Sequence, residues 1–202
     1  MMIEKNHKCS NLVTECVLEG VKEVIGPEAF EAVLDEARLQ NLNVSGATEF
    51  NAADIQRLQA VCVDRYGSLS ARGMALRSGQ SSFSYFLKQF GQTAGFEELN
   101  FRLLPPKRRI FSGLQRIADV FVAQCGLKIS ASAEGSRWIV EYAAADEDSS
   151  AEAEIPCGFI FGLLKEYLIW ISGGKFFVIQ ETRCRANGDA ACRFEIDQRP
   201  LD

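Results

Sequence analysis

The hydrophobic positions in the first half of the chain repeat with the period of an α-helix. Apolar residues recur every three or four positions in five successive segments. Because this spacing places apolar side chains on one face, each segment predicts an amphipathic helix. Ser10 or Asn11 can cap the first helix, and Gly26, Gly67 and Gly126 stand where helices should end. We predict helices over residues 11–25, 28–39, 52–66, 68–90 and 106–125.

The second half changes to the alternating pattern of strands. Residues 128–133 and 137–142 flank Glu134, Gly135 and Ser136, which predicts a β-hairpin, and residues 175–185 and 191–196 flank a second tight turn at Asn187–Gly188–Asp189. Residues 157–171 between the hairpins are almost wholly apolar and predict a helix covered on most sides. The order predicts an α+β domain: N-terminal helices plus a four-stranded antiparallel sheet around a central apolar helix. Two polar segments, residues 41–50 and 143–154, are predicted loops.

Two glycines interrupt the fourth predicted helix. Gly73 and Gly79 lie inside residues 68–90, and a glycine within a helix costs about 1 kcal/mol relative to alanine. Their presence indicates close packing or a kink.

Composition and charge narrow the function classes. The chain has 202 residues, 47% of them hydrophobic, a formal charge of -5 and a pI near 5.1, which fits one globular domain and argues against a nucleic-acid partner. No apolar run approaches the about 20 residues of a membrane span, and no signal-peptide core is present, so we expect a cytoplasmic protein. The single histidine, His7, lies near the N-terminus, which argues against Ser-His or Cys-His catalysis and His-based metal sites.

The cysteines suggest a metal site. Seven scattered cysteines are more typical of buried thiols plus a metal site than of a secreted disulfide framework. In the last hairpin Cys184 should face Cys192, and such a pair can form a disulfide, pack as two small residues, or bind a soft metal such as zinc. A reducing cytosol disfavours the disulfide.

Two further residues extend this pair to four donors. Cys157 begins the apolar helix, where free N–H groups and the helix dipole favour a thiolate. Glu181 lies three positions before Cys184 and would face the other side of an ideal strand, so a bulge or side-chain reach is needed to bring it round. The packing and zinc alternatives remain open on spacing alone.

Two segments carry a family resemblance. Residues 157–164 (CGFIFGLL) and 178–195 (VIQETRCRANGDAACRFE) resemble the 4-vinyl reductase domain family, a small-molecule-binding domain also found in bacterial phenol sensors. The resemblance is strongest over residues 156–196 and extends loosely back to about residue 68. It implies a ligand-binding region at 68–202 after an N-terminal helical region at 1–67, within one compact domain. It also implies a fold similar to haem-nitric-oxide-binding domains and TRAPP trafficking subunits.

The resemblance implies residue roles as well. In the phenol sensors, a structural zinc is held at the positions of Cys157, Glu181, Cys184 and Cys192. Their ligand pocket lies between the long helices, the sheet and the apolar helix, where a His and a Trp fix the phenol hydroxyl; this chain has Trp138 there but no His. Most of the fourteen Phe side chains should pack in the core. The residues expected to line the pocket are Phe111, Leu114, Trp138, Phe161, Phe177 and Ile179.

These observations predict a non-enzymatic binding module for a hydrophobic or aromatic small molecule, with structural zinc. The family's association with chlorophyll biosynthesis and photosynthesis makes a tetrapyrrole pigment or precursor one ligand class. The alternative is a protein-interaction or assembly subunit, for example in photosynthetic complex assembly, acting with a protein partner or as a homodimer. No dinucleotide-binding or phosphate-binding glycine motif and no spaced acid-base pair is recognisable, so we predict no catalytic residues and no stand-alone vinyl reductase activity.

Overall fold

Helices dominate the N-terminal half of a computed structural model that describes residues 8–40, 50–143 and 155–201. His7 and nearly all of the two predicted loops, at residues 41–49 and 144–154, lie outside the described residues. The elements are β1 (Lys8–Cys9), α1 (Asn11–Ile25), α2 (Pro27–Glu36), β2 (Phe50–Asn51), α3 (Ala52–Tyr66), α4 (Ser68–Phe90), α5 (Leu99–Arg102), α6 (Pro106–Cys125), β3 (Lys128–Glu134), β4 (Arg137–Ala143), α7 (Cys157–Ser172), β5 (Phe176–Arg183) and β6 (Ala191–Leu201).

The predicted α+β fold with a four-stranded antiparallel sheet is confirmed. The strand order is β3-β4-β6-β5, so the two predicted hairpins join through β4 and β6. Strand β6 continues to Leu201, beyond the predicted end at residue 196, because it pairs with β5 as far as Phe176. Helix α2 ends at Glu36 rather than residue 39, and Arg38 then adopts a positive φ of 57°. The short helix α5 and the β1–β2 pair were not predicted.

The sheet has one apolar and one charged face. Trp138, Tyr142 and Phe194 are buried on the face that packs against the helices. On the other face the Arg193 guanidinium contacts the carboxylates of Glu134 and Glu141 at 2.6 and 2.9 Å. This alternation fixes the register, since a slip of one residue would bury the charged set.

Helices α4 and α7 cross with their backbones in contact. A Cβ atom added to Gly79 of α4 would lie 2.0 Å from the Phe159 carbonyl oxygen, and one added to Gly162 of α7 would lie 1.9 Å from the Leu76 carbonyl oxygen. The predicted close packing is therefore confirmed at Gly79. At Gly73 a Cβ would meet nothing within 4 Å, so that glycine makes no close contact.

The far half of α7 is fixed by α6. The Tyr167 hydroxyl donates a hydrogen bond to the Ile110 carbonyl oxygen at 2.7 Å. A Cβ at Gly113 would lie 2.0 Å from that hydroxyl oxygen, so the side chain fits only over a glycine. Helix α7 is thus held on both sides, as its apolar sequence predicts.

A disulfide joins the N-terminal segment to the end of α6. Cys9 and Cys125 are bonded across a sequence separation of 116 residues, and the Ser10 N–H donates to the Gln124 carbonyl oxygen at 2.8 Å beside them. The expectation of thiols is therefore wrong for these two cysteines, because the short β1 strand lies against the α6 terminus. The free thiols are those of Cys16, Cys62, Cys157, Cys184 and Cys192.

The two regions predicted from the sequence, residues 1–67 and 68–202, pack against each other. Helix α1 of the N-terminal region packs along α4 of the second region, and one hydrophobic core includes residues of both.

Among the described residues, no helix is both long enough and apolar enough to cross a membrane.

The helix crossing generates a stability prediction with a matched control. We expect Gly79→Ala to lower the free energy of unfolding by about 1–3 kcal/mol or more, because the new methyl group forces the helices apart. Gly73→Ala should raise it by up to about 1 kcal/mol through helix propensity. Urea unfolding followed by circular dichroism measures both changes, and equal effects of the two substitutions would contradict the close crossing.

Candidate metal centre and adjoining cavity

The structure brings together the four predicted metal ligands. The ligand atoms of Cys157, Glu181, Cys184 and Cys192 all lie within 4.8 Å of one another. Cys157 is the first residue of α7, Glu181 lies in β5, Cys184 follows β5 directly, and Cys192 lies in β6. We call these four residues the cysteine cluster.

The hairpin turn sets the spacing of two sulfurs. Arg183 pairs with Arg193, so the same register places Cys184 opposite Cys192 as predicted. The predicted three-residue turn is instead a 3-10 turn, Arg185–Asn187, followed by Gly188 with a φ of 94°. The Cys184 N–H donates to the Asp189 carboxylate at 2.8 Å, which closes the turn.

A bulge in β5 turns Glu181 towards the sulfurs. The β5–β6 register shifts between Glu181 and Arg183, so of the two predicted alternatives, a bulge or side-chain reach, the structure has the bulge. Glu181 Oε2 lies 3.4 Å from an Arg72 guanidinium nitrogen. Its Oε1 is buried without a hydrogen-bond partner among the described residues. Burying a carboxylate oxygen without a hydrogen-bond partner costs stability unless the oxygen binds a cation or accepts a hydrogen bond.

The three thiols of the cysteine cluster differ in pKa. Cys157 Sγ lies 3.5 Å from Cys184 Sγ, and the Arg185 N–H donates to Cys192 Sγ at 3.4 Å. The hydrogen bond from the Cys157 thiol lowers the pKa of Cys192 to about 7. The same bond, together with burial, raises the pKa of Cys157, and burial raises that of Cys184. The hydrogen bonds that Cys192 Sγ accepts from the Arg185 N–H and the Cys157 thiol favour a thiolate at Cys192.

This geometry suits a tetrahedral metal ion. Metal–sulfur bonds of about 2.3 Å at tetrahedral angles separate two sulfurs by about 3.8 Å, close to the observed Cys157–Cys184 distance. Three thiols and one carboxylate make up a complete four-donor set. Chemically, the cysteine cluster can hold one soft or borderline divalent metal ion.

A cavity of about 450 Å³ adjoins the cysteine cluster. It lies between α1, α3, α4 and the start of α7, and all four cluster residues form part of its wall. Most of the remaining wall is aliphatic, and the volume falls within the usual range for small-molecule sites. The aliphatic wall includes Val17, Val21, Ile25, Ile55, Leu58 and Val63.

The six predicted ligand-binding residues do not line this cavity. Leu114 and Trp138 are buried in the core, while Phe111, Phe161, Phe177 and Ile179 pack against it. Trp138 and Phe177 do meet, with ring centroids 6.1 Å apart. That these six contact a ligand stays a prediction. The actual lining on α1 and α3 looks like an ordinary amphipathic face in the sequence, so no local signal marks it.

One further polar group belongs to the cavity wall. Tyr142 lines the cavity, is 1% exposed, and its hydroxyl has no hydrogen-bond partner among the described residues. Sequence reasoning missed this residue because it reads as one more apolar position of β4.

Comparisons with known proteins identify a shared fold. No protein-family model matches the chain, and no curated protein matches it. Similar solved structures include a variant of Tt H-NOX, with a TM-score of 0.65 and 11% identity over 96% of this chain and 97% of that chain. An H-NOX protein from S. oneidensis in the Fe(II)NO ligation state gives a TM-score of 0.62 and 12% identity, covering 96% and 99%. An unliganded Fe(II) H-NOX mutant from K. algicida gives 0.63 and 12%, covering 96% and 97%.

The H-NOX-like fold is therefore shown along nearly the whole chain. The predicted similarity to haem-nitric-oxide-binding domains is confirmed at the level of fold.

The cysteine cluster generates a metal-binding prediction. We expect one equivalent of Co²⁺ to bind and produce sulfur-to-cobalt charge-transfer absorption, with affinity falling at lower pH because the thiols must lose protons. Cys184→Ser should weaken the absorption strongly. Cys62→Ser is the matched control, since this thiol lines the cavity outside the cysteine cluster. An equal loss in both variants, or no charge-transfer band in the unaltered protein, would contradict the assignment.

Proposed function

We propose that the chain is a non-enzymatic binding module that takes up an apolar small molecule in the cavity beside the cysteine cluster, with a structural zinc ion in that cluster. The observation that carries the proposal is the mainly aliphatic 450 Å³ cavity whose wall includes all four cluster residues. The resemblance of residues 156–196 to the 4-vinyl reductase domain family supports the same function.

Zinc fits the donor set. Structural zinc sites are closed and use four protein ligands, most often thiolates, with carboxylate oxygen as a known alternative. A site made of one Zn²⁺ ion, three thiolates and one carboxylate carries a net charge of about −2. The guanidinium of Arg72 at 3.4 Å from Glu181 offsets part of that charge. The ion would tie the start of α7 to the β5–β6 hairpin.

Haem does not fit the described residues. Solved structures with this fold are named for haem and for Fe(II) ligation, and haem iron takes an axial side chain, commonly histidine. The chain's single histidine, His7, lies outside the described residues. Three thiols and a carboxylate that converge within 4.8 Å form a closed set around one ion rather than a single axial ligand. We therefore propose no haem-binding role for this site.

The wall composition supports binding without chemistry. Glu181 is the one carboxylate among the described lining residues, and it is committed to the cysteine cluster. With a single carboxylate and no histidine, the described wall lacks the paired carboxylates or imidazoles that general acid-base catalysis most often uses. The aliphatic side chains of the wall favour a ligand with a hydrocarbon-like body. Tetrapyrrole precursors are one class of ligand to test.

The structural zinc predicts metal-dependent stability. Protein purified without added metal should contain about one zinc per chain by mass spectrometry. Removal with a chelator should lower the melting temperature by several degrees, since each kcal/mol lost shifts it by about 2–4 °C at this size. Cys192→Ser should show the lower melting temperature without chelator and no further change with it. Metal-free protein of unchanged stability would contradict the zinc proposal.

The cavity predicts a binding test that separates the two possible pockets. Val21→Trp should fill the cavity and weaken binding of the neutral fluorophore N-phenyl-1-naphthylamine at least tenfold, because the indole occupies the ligand's space. Phe161→Ala, in the pocket that the sequence predicts, should leave the affinity unchanged. Cys62→Phe on α3 is a second filling variant in case the first does not fold.

The opposite pattern, with loss in Phe161→Ala and none in the filled variants, would move the site to the sequence-predicted residues. Protoporphyrin IX and anthracene, tested as competitors for the fluorophore, would then separate tetrapyrroles from smaller aromatics.

A second candidate function is an assembly subunit. Phe176 and Leu201 pair across β5 and β6 at the sheet edge and are 56% and 53% exposed, and Trp170 is also exposed. Phe176 and Leu201 are neighbours through this pairing, and contiguous exposed apolar surface is typical of partner surfaces. Light scattering of the unaltered protein and of Phe176→Ser tests this candidate through a change in oligomeric state.

A further inference from the structure

Residues 99–109, which run from α5 into the first turn of α6, combine exposed leucines with basic side chains. The segment reads LNFRLLPPKRR and contains four basic and no acidic residues. Leu99 and Leu103 are 69% and 72% exposed. The basic side chains that are also exposed are those of Arg102, Lys107 and Arg108. We call residues 99–109 the basic-apolar segment.

The two leucines lie on the same face of one helical turn. The Leu103 N–H donates to the Leu99 carbonyl oxygen at 3.0 Å. Because side chains four residues apart are neighbours on a helix, the two leucines form one apolar patch rather than two scattered side chains.

A buried aromatic side chain fixes this turn. Phe101 is 2% exposed, and its ring centroid lies 5.3 Å from that of Phe96. The Arg116 guanidinium covers the Phe101 ring at 4.8 Å and contacts the Glu98 carboxylate at 3.0 Å. The leucines therefore project into solvent from an ordered turn, so docking through them requires little further ordering of the chain.

The charge of the basic-apolar segment is opposite to that of the whole chain, which is -5. Lys107 and Arg108 lie in the first turn of α6, where the helix dipole disfavours cations. Of the two acids just before the segment, Glu97 and Glu98, the second is already paired with Arg116. An anionic surface would attract this part of the molecule and repel most of the rest, which favours a single orientation.

From this combination we propose that the basic-apolar segment docks the protein on an anionic lipid bilayer. Leu99 and Leu103 insert among the lipid head groups, and the basic side chains contact lipid phosphates, which is the division of labour found in interfacial membrane anchors. This surface is separate from the cavity and the metal centre, and docking requires neither of them.

The shape of the patch favours lipid over a protein partner. Projecting leucines need a matching pocket on a protein, and leucine is under-represented among the residues that carry the binding energy of protein interfaces. A lipid interface yields around a projecting side chain and needs no pocket.

Docking through this segment would hold the cysteine cluster away from the lipid. Arg109 Nη2 lies 3.4 Å from the Ile171 carbonyl oxygen near the end of α7, whereas Cys157 begins that helix. At about 1.5 Å per residue, Cys157 and Ile171 are about 21 Å apart along the helix axis. The cluster and its cavity would therefore stay on the aqueous side.

Co-sedimentation of the full chain with lipid vesicles tests the proposal. The protein should bind phosphatidylcholine vesicles that contain about 30% phosphatidylserine, should bind less as salt rises, and should not bind pure phosphatidylcholine. Combining Arg102→Gln, Lys107→Gln and Arg108→Gln should weaken the affinity about 100-fold, since each basic residue near the surface contributes about fivefold. Combining Leu99→Ser and Leu103→Ser should weaken it at least about tenfold.

Matched controls remove the same chemistry from other exposed positions. Combining Arg38→Gln, Arg77→Gln and Arg183→Gln changes the net charge equally, and Leu69→Ser removes a leucine that is 84% exposed. Both controls should bind nearly as well as the unaltered protein.

Three outcomes would overturn the proposal. The first is equal loss in the segment variants and the controls, which would indicate general charge attraction. The second is full affinity in the leucine variant, which would indicate adsorption without insertion. The third is no vesicle binding by the unaltered protein; a change of oligomeric state in the leucine variant by light scattering would then assign the patch to a protein partner.

A second measurement needs no variant. Hydrogen–deuterium exchange of the unaltered protein should slow in residues 99–109 when phosphatidylserine-containing vesicles are added, with exchange in α1 and α3 unchanged. Protection confined to other segments would overturn the proposal even if the variants did not fold.

Discussion

The close crossing of α4 and α7 is the constraint on which the candidate site depends. Gly79 and Gly162 let each helix backbone approach a carbonyl oxygen of the other, at distances where a Cβ atom has no room. This approach fixes where α7 begins, and Cys157 is its first residue. It also places Arg72 of α4 within 3.4 Å of Glu181. A wider crossing would separate the start of α7 from the β5–β6 hairpin and open the cysteine cluster.

The cluster itself is an energetic liability without a cation. It gathers three thiols and a carboxylate in one small volume, and one carboxylate oxygen is buried without a partner among the described residues. The hydrogen bond that lowers the pKa of Cys192 to about 7 relieves only part of this cost. A tetrahedral metal ion would satisfy all four donors together, and a cavity beside such a rigid wall would keep its shape when empty.

Much of this arrangement could be predicted from local sequence patterns. The bounds of α4 and α6 follow from apolar periodicity with Gly67, Pro106 and Gly126 as end signals. The hairpin register, and the need for either a bulge or side-chain reach at Glu181, follow from strand parity. The cavity-lining residues on α1 and α3 could not be predicted, because a cavity depends on how separate helices pack. An amphipathic face has the same sequence pattern whether it packs against a neighbour or borders a cavity. The Cys9–Cys125 disulfide was missed because its partners are 116 residues apart, with no local pattern joining them.

Zinc K-edge X-ray absorption on protein purified without added metal measures which atoms coordinate the ion. We expect a first coordination shell of three sulfurs at about 2.3 Å and one oxygen at about 2.0–2.2 Å. A shell of nitrogen and oxygen atoms without sulfur, or four sulfurs with no oxygen, would contradict the assignment of Cys157, Glu181, Cys184 and Cys192 as the metal centre.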